Sequence, residues 1–256
     1  MEYLSVIIPI HEYNEEIEKY LDRAIESIEE QVDTLNINVV IVGEESVLNQ
    51  LKPQKNNITL LKNSGKTDYC SQVNFAVKQI KTKYFSILEL DDFYSKTWFK
   101  NVSSYMEHNP NFTAFLPIVK LVDTNEKELG TINEVVWARA FSEELGVIDS
   151  TTLENYFDFV TTGGVFRVDE FIECGMLKPS IKLSFWYEYL LRSIENGTKY
   201  FVIPKIGYNH VMGRNNSLME SYNDMDGEER MWWINLAKKE YFFKKDRSEK
   251  SVYIKE

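Results

Sequence analysis

Cysteine is scarce in this chain: Cys70 and Cys174 are the only two among 256 residues. Two isolated thiols supply neither a disulfide framework nor the paired spacing of a zinc site. A reducing compartment, the cytoplasm, is therefore expected, with each thiol a small buried hydrophobe. Positive charge is also short. Lys and Arg number 29 against 40 Asp and Glu, and the net charge of −11 excludes the basic footprint of non-specific nucleic-acid binding. No apolar run approaches the roughly 20 residues of a membrane span, so no transmembrane segment is expected. The opening MEYLSVIIPIHEYNEE lacks a basic region before its apolar stretch and reads as a strand, not a signal peptide. Repeats, low-complexity tracts and an evident linker are missing too. Gly65-Lys66-Thr67 invites comparison with a phosphate-binding P-loop, but Leu60 stands where that loop needs its first glycine.

What is present is ordinary globular composition, 43% hydrophobic and 27% charged, in a chain long enough to bury a substantial core. Leu4 to Ile10 is a buried strand, and Asn14 caps a helix from Glu15 to about Gln31. Its apolar residues Ile17, Leu21, Ala24, Ile25 and Ile28 fall on one face. Asn38 to Val42 and Ile58 to Leu61 are further strands, with a short helix between them and a helix from Ser71 to about Ile80 after them. The alternation predicts a largely parallel sheet with right-handed crossovers. Beyond it come a helix to about His108, a strand from Phe112 to Val122, and a loop or hairpin over Asp123 to Glu134. Thr161 to Phe166 reads as a glycine-permitted turn into a strand, Phe185 to Asn196 as a helix closed by Gly197, and Tyr200 to Ile203 as a strand. Tyr208 to Ser217 reads as a polar loop, and Asp226 to about Lys245 as an amphipathic helix. Three segments are expected in one compact domain: a first lobe over 1–95, a second lobe over 96–218 and a helical extension over 219–256.

The central stretch is Lys83 to Phe99, KYFSILELDDFYSKTWF. Tyr84 to Leu90 has the pattern of a buried strand, and Glu89, Asp91 and Asp92 crowd its end. Ser95 stands where the N-cap of the next helix belongs. Ligands of open α/β sheets collect at the carboxyl ends of the strands, where carboxylates can hold a divalent cation and that cation a phosphate.

The segment SVIIPIHEYNEEIEKYLDRAIESIEEQ resembles the opening of family-2 glycosyltransferases with the glycosyltransferase-A fold. Pro9, Asn14, Glu15, Tyr20, Leu21, Ala24, Ile25, Ser27, Ile28 and Gln31 carry the likeness. KNSG at Lys62 to Gly65, Asn74, the ELDDFYSKTWF block, TTGGVF, FIECG, YEYLLR and the loop around His210 continue it in order, with some likeness to bacterial wall-polymer glycosyltransferases. The resemblance covers roughly residues 3 to 218. It implies an α/β fold with a mostly parallel Rossmann-like sheet. It also implies a nucleotide-sugar donor, UDP-linked, and a glycan or similar hydroxyl acceptor, with a divalent cation, Mn²⁺ or Mg²⁺, neutralising the leaving diphosphate. Asp91 matches the metal-binding aspartate, Glu89 takes the place of the first acidic residue, and His210 matches a histidine that closes the metal site in some relatives. Donor contacts are implied for Pro9, Ile10, His11, Glu12, Glu44, Lys66, Asn74, Glu89, Leu90, Asp91, Gly163 and Gly164, and catalytic roles for Asp92 or Glu188.

Three departures qualify that picture. The second strand ends in Gly43-Glu44 where relatives carry two aspartates, so Glu44 would read the nucleobase. Val73 replaces an arginine that meets the diphosphate, leaving Lys66 as the nearby cation. Phe185 and Trp186 occupy the place of the acidic pair that holds the catalytic base. Glu188 lies two positions later, about 200° around the helix from that site, and stands four residues before Arg192 as in a surface ion pair. The expectation is a metal-dependent inverting glycosyltransferase, with a weakened or non-catalytic relative of the same fold as the rival reading. The aromatics of the C-terminal helix, Trp232, Trp233, Tyr241, Phe242 and Phe243, are expected to pack on the second lobe or on a second copy.

Overall fold

The computed structural model describes residues 4–32, 36–52, 58–142, 144–181, 184–213 and 227–250, without the side chains of 230, 240 and 242–250. In chain order the first half comprises β1 (Leu4–Pro9), α1 (Glu15–Glu29), β2 (Ile37–Gly43), α2 (Glu45–Leu48), β3 (Ile58–Lys62), α3 (Tyr69–Gln79) and β4 (Tyr84–Ile87). Next come β5 (Phe93–Tyr94), α4 (Trp98–His108), β6 (Ala114–Val122), β7 (Glu128–Ile132), β8 (Val147–Ile148) and α5 (Ser150–Asn155). The chain continues through β9 (Val165–Arg167), α6 (Val168–Glu173), α7 (Phe185–Glu195), β10 (Tyr200–Val211) and α8 (Gly227–Lys250).

One sheet runs through both lobes in the order β3-β2-β1-β4-β9-β6-β10-β5, with β7 beside β6 and β8 beside β10. The extended ladders, among β1 to β4 and between β6 and β10, are parallel; the antiparallel pairings are short. Alternation along β1 sorts the core by face. Leu4, Val6 and Ile8 meet α1 and α4 on one side, while Ile7 meets α3 and the helices of the second lobe on the other. Each core draws residues from both lobes, so the lobes share one sheet and its two faces.

Helix α1 begins where the sequence says it should. The Asn14 side chain accepts from the amides of Glu16 and Ile17, and Ile17, Leu21, Ala24, Ile25 and Ile28 are buried. The region after β4 differs from expectation. The strand stops at Ile87 rather than Leu90, and Ser95 is no helix cap. Phe93 and Tyr94 pair with Asn209 and Tyr208 as a short strand, so α4 starts only at Trp98. The expected loop from Tyr208 is likewise the second half of β10. Asn209 and His210 look like loop residues, yet they pair with Lys120 and Leu121 of β6 beyond a bulge near Ile206. Arg214 to Ser217 lie outside the described residues.

Helix α8 lies against α7. Ile234, Ala237 and Tyr241 are buried at helical spacing, but Trp232 is 57% exposed and meets Trp233 edge-on at 4.7 Å. Of the expected aromatics, Tyr241 covers the second lobe together with Ile234 and Ala237, while Trp232 falls off that buried stripe and does not pack into the lobe. The side chains of Phe242 and Phe243 lie outside the described residues.

Candidate active site

Parallel pairing of β1, β2, β3 and β4 brings their carboxyl ends to one edge. Pro9 and Ile10 are buried there, Ile10 donating its amide to the Val42 carbonyl at 2.8 Å, while His11, Glu12 and Glu44 are exposed. His11 Nδ1 sits 2.9 Å from the Thr67 carbonyl, tying the loop after β1 to the start of α3. Lys66 is exposed in the adjacent turn, which Asn63 closes by bonding to the Lys66 carbonyl and the Gly65 amide.

The acidic turn occupies the middle of this edge. The Glu89 amide donates to the Tyr208 hydroxyl at 3.0 Å, and its carboxyl shares a hydrogen bond with Tyr69. Burial, then the charges of Asp92 and Asp91, raise the Glu89 carboxyl to about 8. Leu90 and Asp91 are buried beside it. Asp92 is fully buried and committed: one oxygen accepts from the Val211 amide and the other faces His210 Nδ1, both at 2.8 Å. The antiparallel pairing of β5 with β10 makes that meeting possible across 118 residues of sequence. Burial works against charge on His210, but Asp92 beside it, with Asp91 and Glu89 behind, raises it to about 9.

His210 Nε2 is buried and has no hydrogen-bond partner among the described residues. A carboxylate holding one ring nitrogen while the other stays unpartnered is the arrangement that orients a metal-ligating histidine. Among the described residues no three His, Cys, Asp or Glu side chains form a ready-made cage. A small divalent cation shared with a diphosphate needs only one or two protein carboxylates, so the donor chemistry of Asp91 and His210 suits such an ion, although no third ligand among the described residues is gathered with them. Asp92, expected as a catalytic group, instead orients His210.

The family model described as Glycosyl transferase family 2 matches residues 5–169. The chain belongs to glycosyltransferase family 2. It is 24% identical over 121 residues to an uncharacterized glycosyltransferase of Haemophilus influenzae, covering 45% of this chain and 36% of that protein. Among solved structures, TarS 1–349 of S. aureus in complex with UDP-GlcNAc superposes with a TM-score of 0.64 at 16% identity, over 92% of this chain and 65% of that one. The same TarS fragment with UDP gives 0.60 at the same coverage and identity. The chain thus spans about a third of its curated relative's length and under two thirds of the TarS fragment's. The TarS likeness establishes the fold, an α/β sheet flanked by helices.

Several residues that match family-2 positions are placed by packing. Asn74 clamps the main chain of Leu177, donating to its carbonyl at 2.8 Å and accepting from its amide at 3.1 Å. Its side chain ties α3 to the segment before α7 instead of reaching a ligand. Gly163 (φ +77°) donates its amide to the Ile87 carbonyl and accepts from the Trp98 indole at its own carbonyl; a Cβ there would stand 2.3 Å from Tyr208. One at Gly164 would stand 2.4 Å from Leu116. The double glycine therefore lets the chain pass between β4 and β10, and the Gly163 amide is already taken.

Trp186, which by sequence stands at the place of the family's base, is held by stacking. Trp186 lies 5.6 Å from Phe166, at an interplanar angle of 22°, and its indole nitrogen reaches the Tyr69 hydroxyl at 3.4 Å. Glu188 does pair with Arg192, but its pair is buried, not on the surface. Its carboxylate takes Arg192 on both oxygens (2.9 and 2.8 Å), Lys178 at 2.9 Å and the Tyr241 hydroxyl at 2.6 Å. Burial alone would raise this carboxyl; the bonds from Arg192, Tyr241 and Lys178 hold it below the usual range. A saturated anion of this kind is a poor proton acceptor, so Glu188 is corrected from base to buried anchor. Sequence reasoning missed Tyr69, Tyr208 and Arg23, which touch the acidic turn from elements far away in sequence. The basic character of Arg23 within a largely acidic helix was the hint available for it.

Proposed function

We propose that this chain transfers a sugar from a nucleotide-diphosphate donor, UDP-linked, to a hydroxyl of a glycan or related acceptor, with inversion at the sugar carbon. The observation that carries the reading is the Asp92–His210 pair, with Nε2 unpartnered beside Asp91 and Glu89 at the carboxyl edge of a family-2 sheet. A bound Mn²⁺ or Mg²⁺ would neutralise charge on the departing diphosphate. Asp91 and His210 would hold it, with Glu89 alongside. The exposed His11, Glu12 and Glu44 flank the neighbouring strand ends and are the residues we assign to the nucleotide, with Lys66 as the nearest cation for its phosphates. The acceptor oxygen forms the new bond to the sugar carbon as the bond to the diphosphate breaks, and the hydroxyl proton passes to a base.

That base is the weak point of a fully active enzyme. Trp186 fills the family's position and Glu188 is saturated. General-base help contributes about 10²- to 10⁴-fold, so turnover without a protein base should be slow even with the donor well held. This observation favours a second reading, a weakened or non-catalytic relative that still binds the donor.

A panel of nucleotide sugars with and without Mn²⁺, read by thermal shift and nucleotide release, tests both. UDP-sugar binding that needs Mn²⁺ and disappears in Asp91→Asn at unchanged fold supports the donor site. Release then separates a transferase from a binding relative. Asp91→Asn protein that binds with unchanged metal dependence would remove Asp91 from the site.

A further inference from the structure

Helix α1 does more than fill one face of the core. Arg23 and Ser27 on it, and Gln31 just beyond, stand four residues apart and all turn towards the main chain of 91–99. An Arg23 guanidinium nitrogen donates to the Asp91 carbonyl. Ser27 Oγ accepts from the Tyr94 amide at 3.1 Å. Gln31 donates to the Ser95 carbonyl at 3.0 Å and accepts from the Phe99 amide at 3.2 Å. A stretch with little regular structure is thus fastened to a rigid helix at three levels.

Arg23 is the member that reaches the acidic turn itself. Its guanidinium centre lies 4.9 Å from the Phe93 ring centroid and 5.7 Å from that of Tyr20. Its Nε is buried without a hydrogen-bond partner among the described residues. Lying over two rings restrains the group, and its fork end is directed towards the Asp91 carbonyl. Its ion pair with Glu126 is 3.6 Å long, with Glu126 58% exposed, and such pairs contribute little.

We propose that Arg23 is a positioning residue for the donor site. The Asp91 carbonyl belongs to the peptide joining Asp91 to Asp92, so holding it fixes the directions of both carboxylates at once. Asp91 is kept facing the cation site, and Asp92 is kept on His210 and the Val211 amide. Affinity for the cation–diphosphate pair then depends on a side chain that touches neither. This rests on the donor reading above.

The test uses Arg23→Met, Arg23→Lys and, as a control, Glu126→Gln in the full chain. UDP affinity at saturating Mn²⁺, amide hydrogen exchange over 89–95, and urea unfolding are measured for each. Arg23→Met should weaken UDP binding about tenfold or more, the scale of losing a hydrogen bond from a charged group, and speed exchange in the turn relative to α3. Arg23→Lys keeps the charge without the fork and should rescue binding only in part, while Glu126→Gln should match wild type. Wild-type UDP affinity in folded Arg23→Met protein, whatever its stability, would make Arg23 a packing residue and overturn the proposal. If Arg23→Met does not fold, Arg23→Lys with wild-type affinity overturns it just as well. Wild-type protein that binds no UDP would sink the donor reading; exchange over 89–95 then decides, and an unchanged rate in the variants counts against Arg23.

Discussion

Replacing Glu188 by Gln probes whether a buried carboxylate on α7 works as a base or as an anchor. Glu188 is fully buried and gathers Arg192, Lys178 and Tyr241, while Arg192 also donates to the carbonyls of Cys174 and Met176. The cluster therefore joins α7, the segment before it and α8. Removing one partner of a buried ion pair typically costs about 3–5 kcal/mol, because the opposite charge stays buried and uncompensated. Gln retains one acceptor oxygen, and Lys178 has partial access to water, so a loss of about 3 kcal/mol at pH 7 is expected. The pH dependence follows from the lowered carboxyl pKa. The stabilisation is complete above the unfolded value and is lost as pH falls through the folded one. The gap between wild type and variant in urea unfolding should thus be full at pH 7 and narrow only under acid conditions, below about pH 4. Donor turnover per folded molecule should be unchanged. A variant as stable as wild type that binds donor normally but no longer turns it over would refute this reasoning and make Glu188 the base.

Two further outcomes test the packing around that cluster. Removing the chain from Gly227 onward deletes the buried Ile234, Ala237 and Tyr241 and uncovers Glu188; it should cost about 4 kcal/mol in urea unfolding. Unchanged melting temperature and oligomeric state would show that α8 does not stabilise the second lobe. Trp186→Asp places a carboxylate at the family's base position but removes a ring stacked on Phe166 and edge-on to Tyr189. A loss of about 3 kcal/mol or more is expected, and wild-type stability in that variant would mean that the stack contributes little.

Much of the first lobe was legible from local pattern. The alternation of strands and helices up to β4, the Asn14 cap and the buried stripe of α1 depend on periodicity and capping, which short segments encode on their own. The acidic turn was legible as a candidate site because three carboxylates at the end of an apolar strand are expensive to place without purpose. The hairpin after β6 and the Gly197 stop after α7 were legible for the same local reasons.

Tertiary structure alone decided which of those residues are free to act. Asp91 and Asp92 are adjacent and chemically alike, yet β5 pairing with β10 spends both oxygens of Asp92 on His210 and Val211. The Glu188–Arg192 spacing announced an ion pair, but its burial comes from α8, 53 residues further along at Tyr241. The Gly163–Gly164 pair looked like a ligand turn until the close approach of Tyr208 and Leu116 explained it. Sequence spacing fixes which residues share a helix face or a strand end. Which oxygen is already bonded depends on long-range pairing between strands and helices, and that information lies in no single segment of the chain.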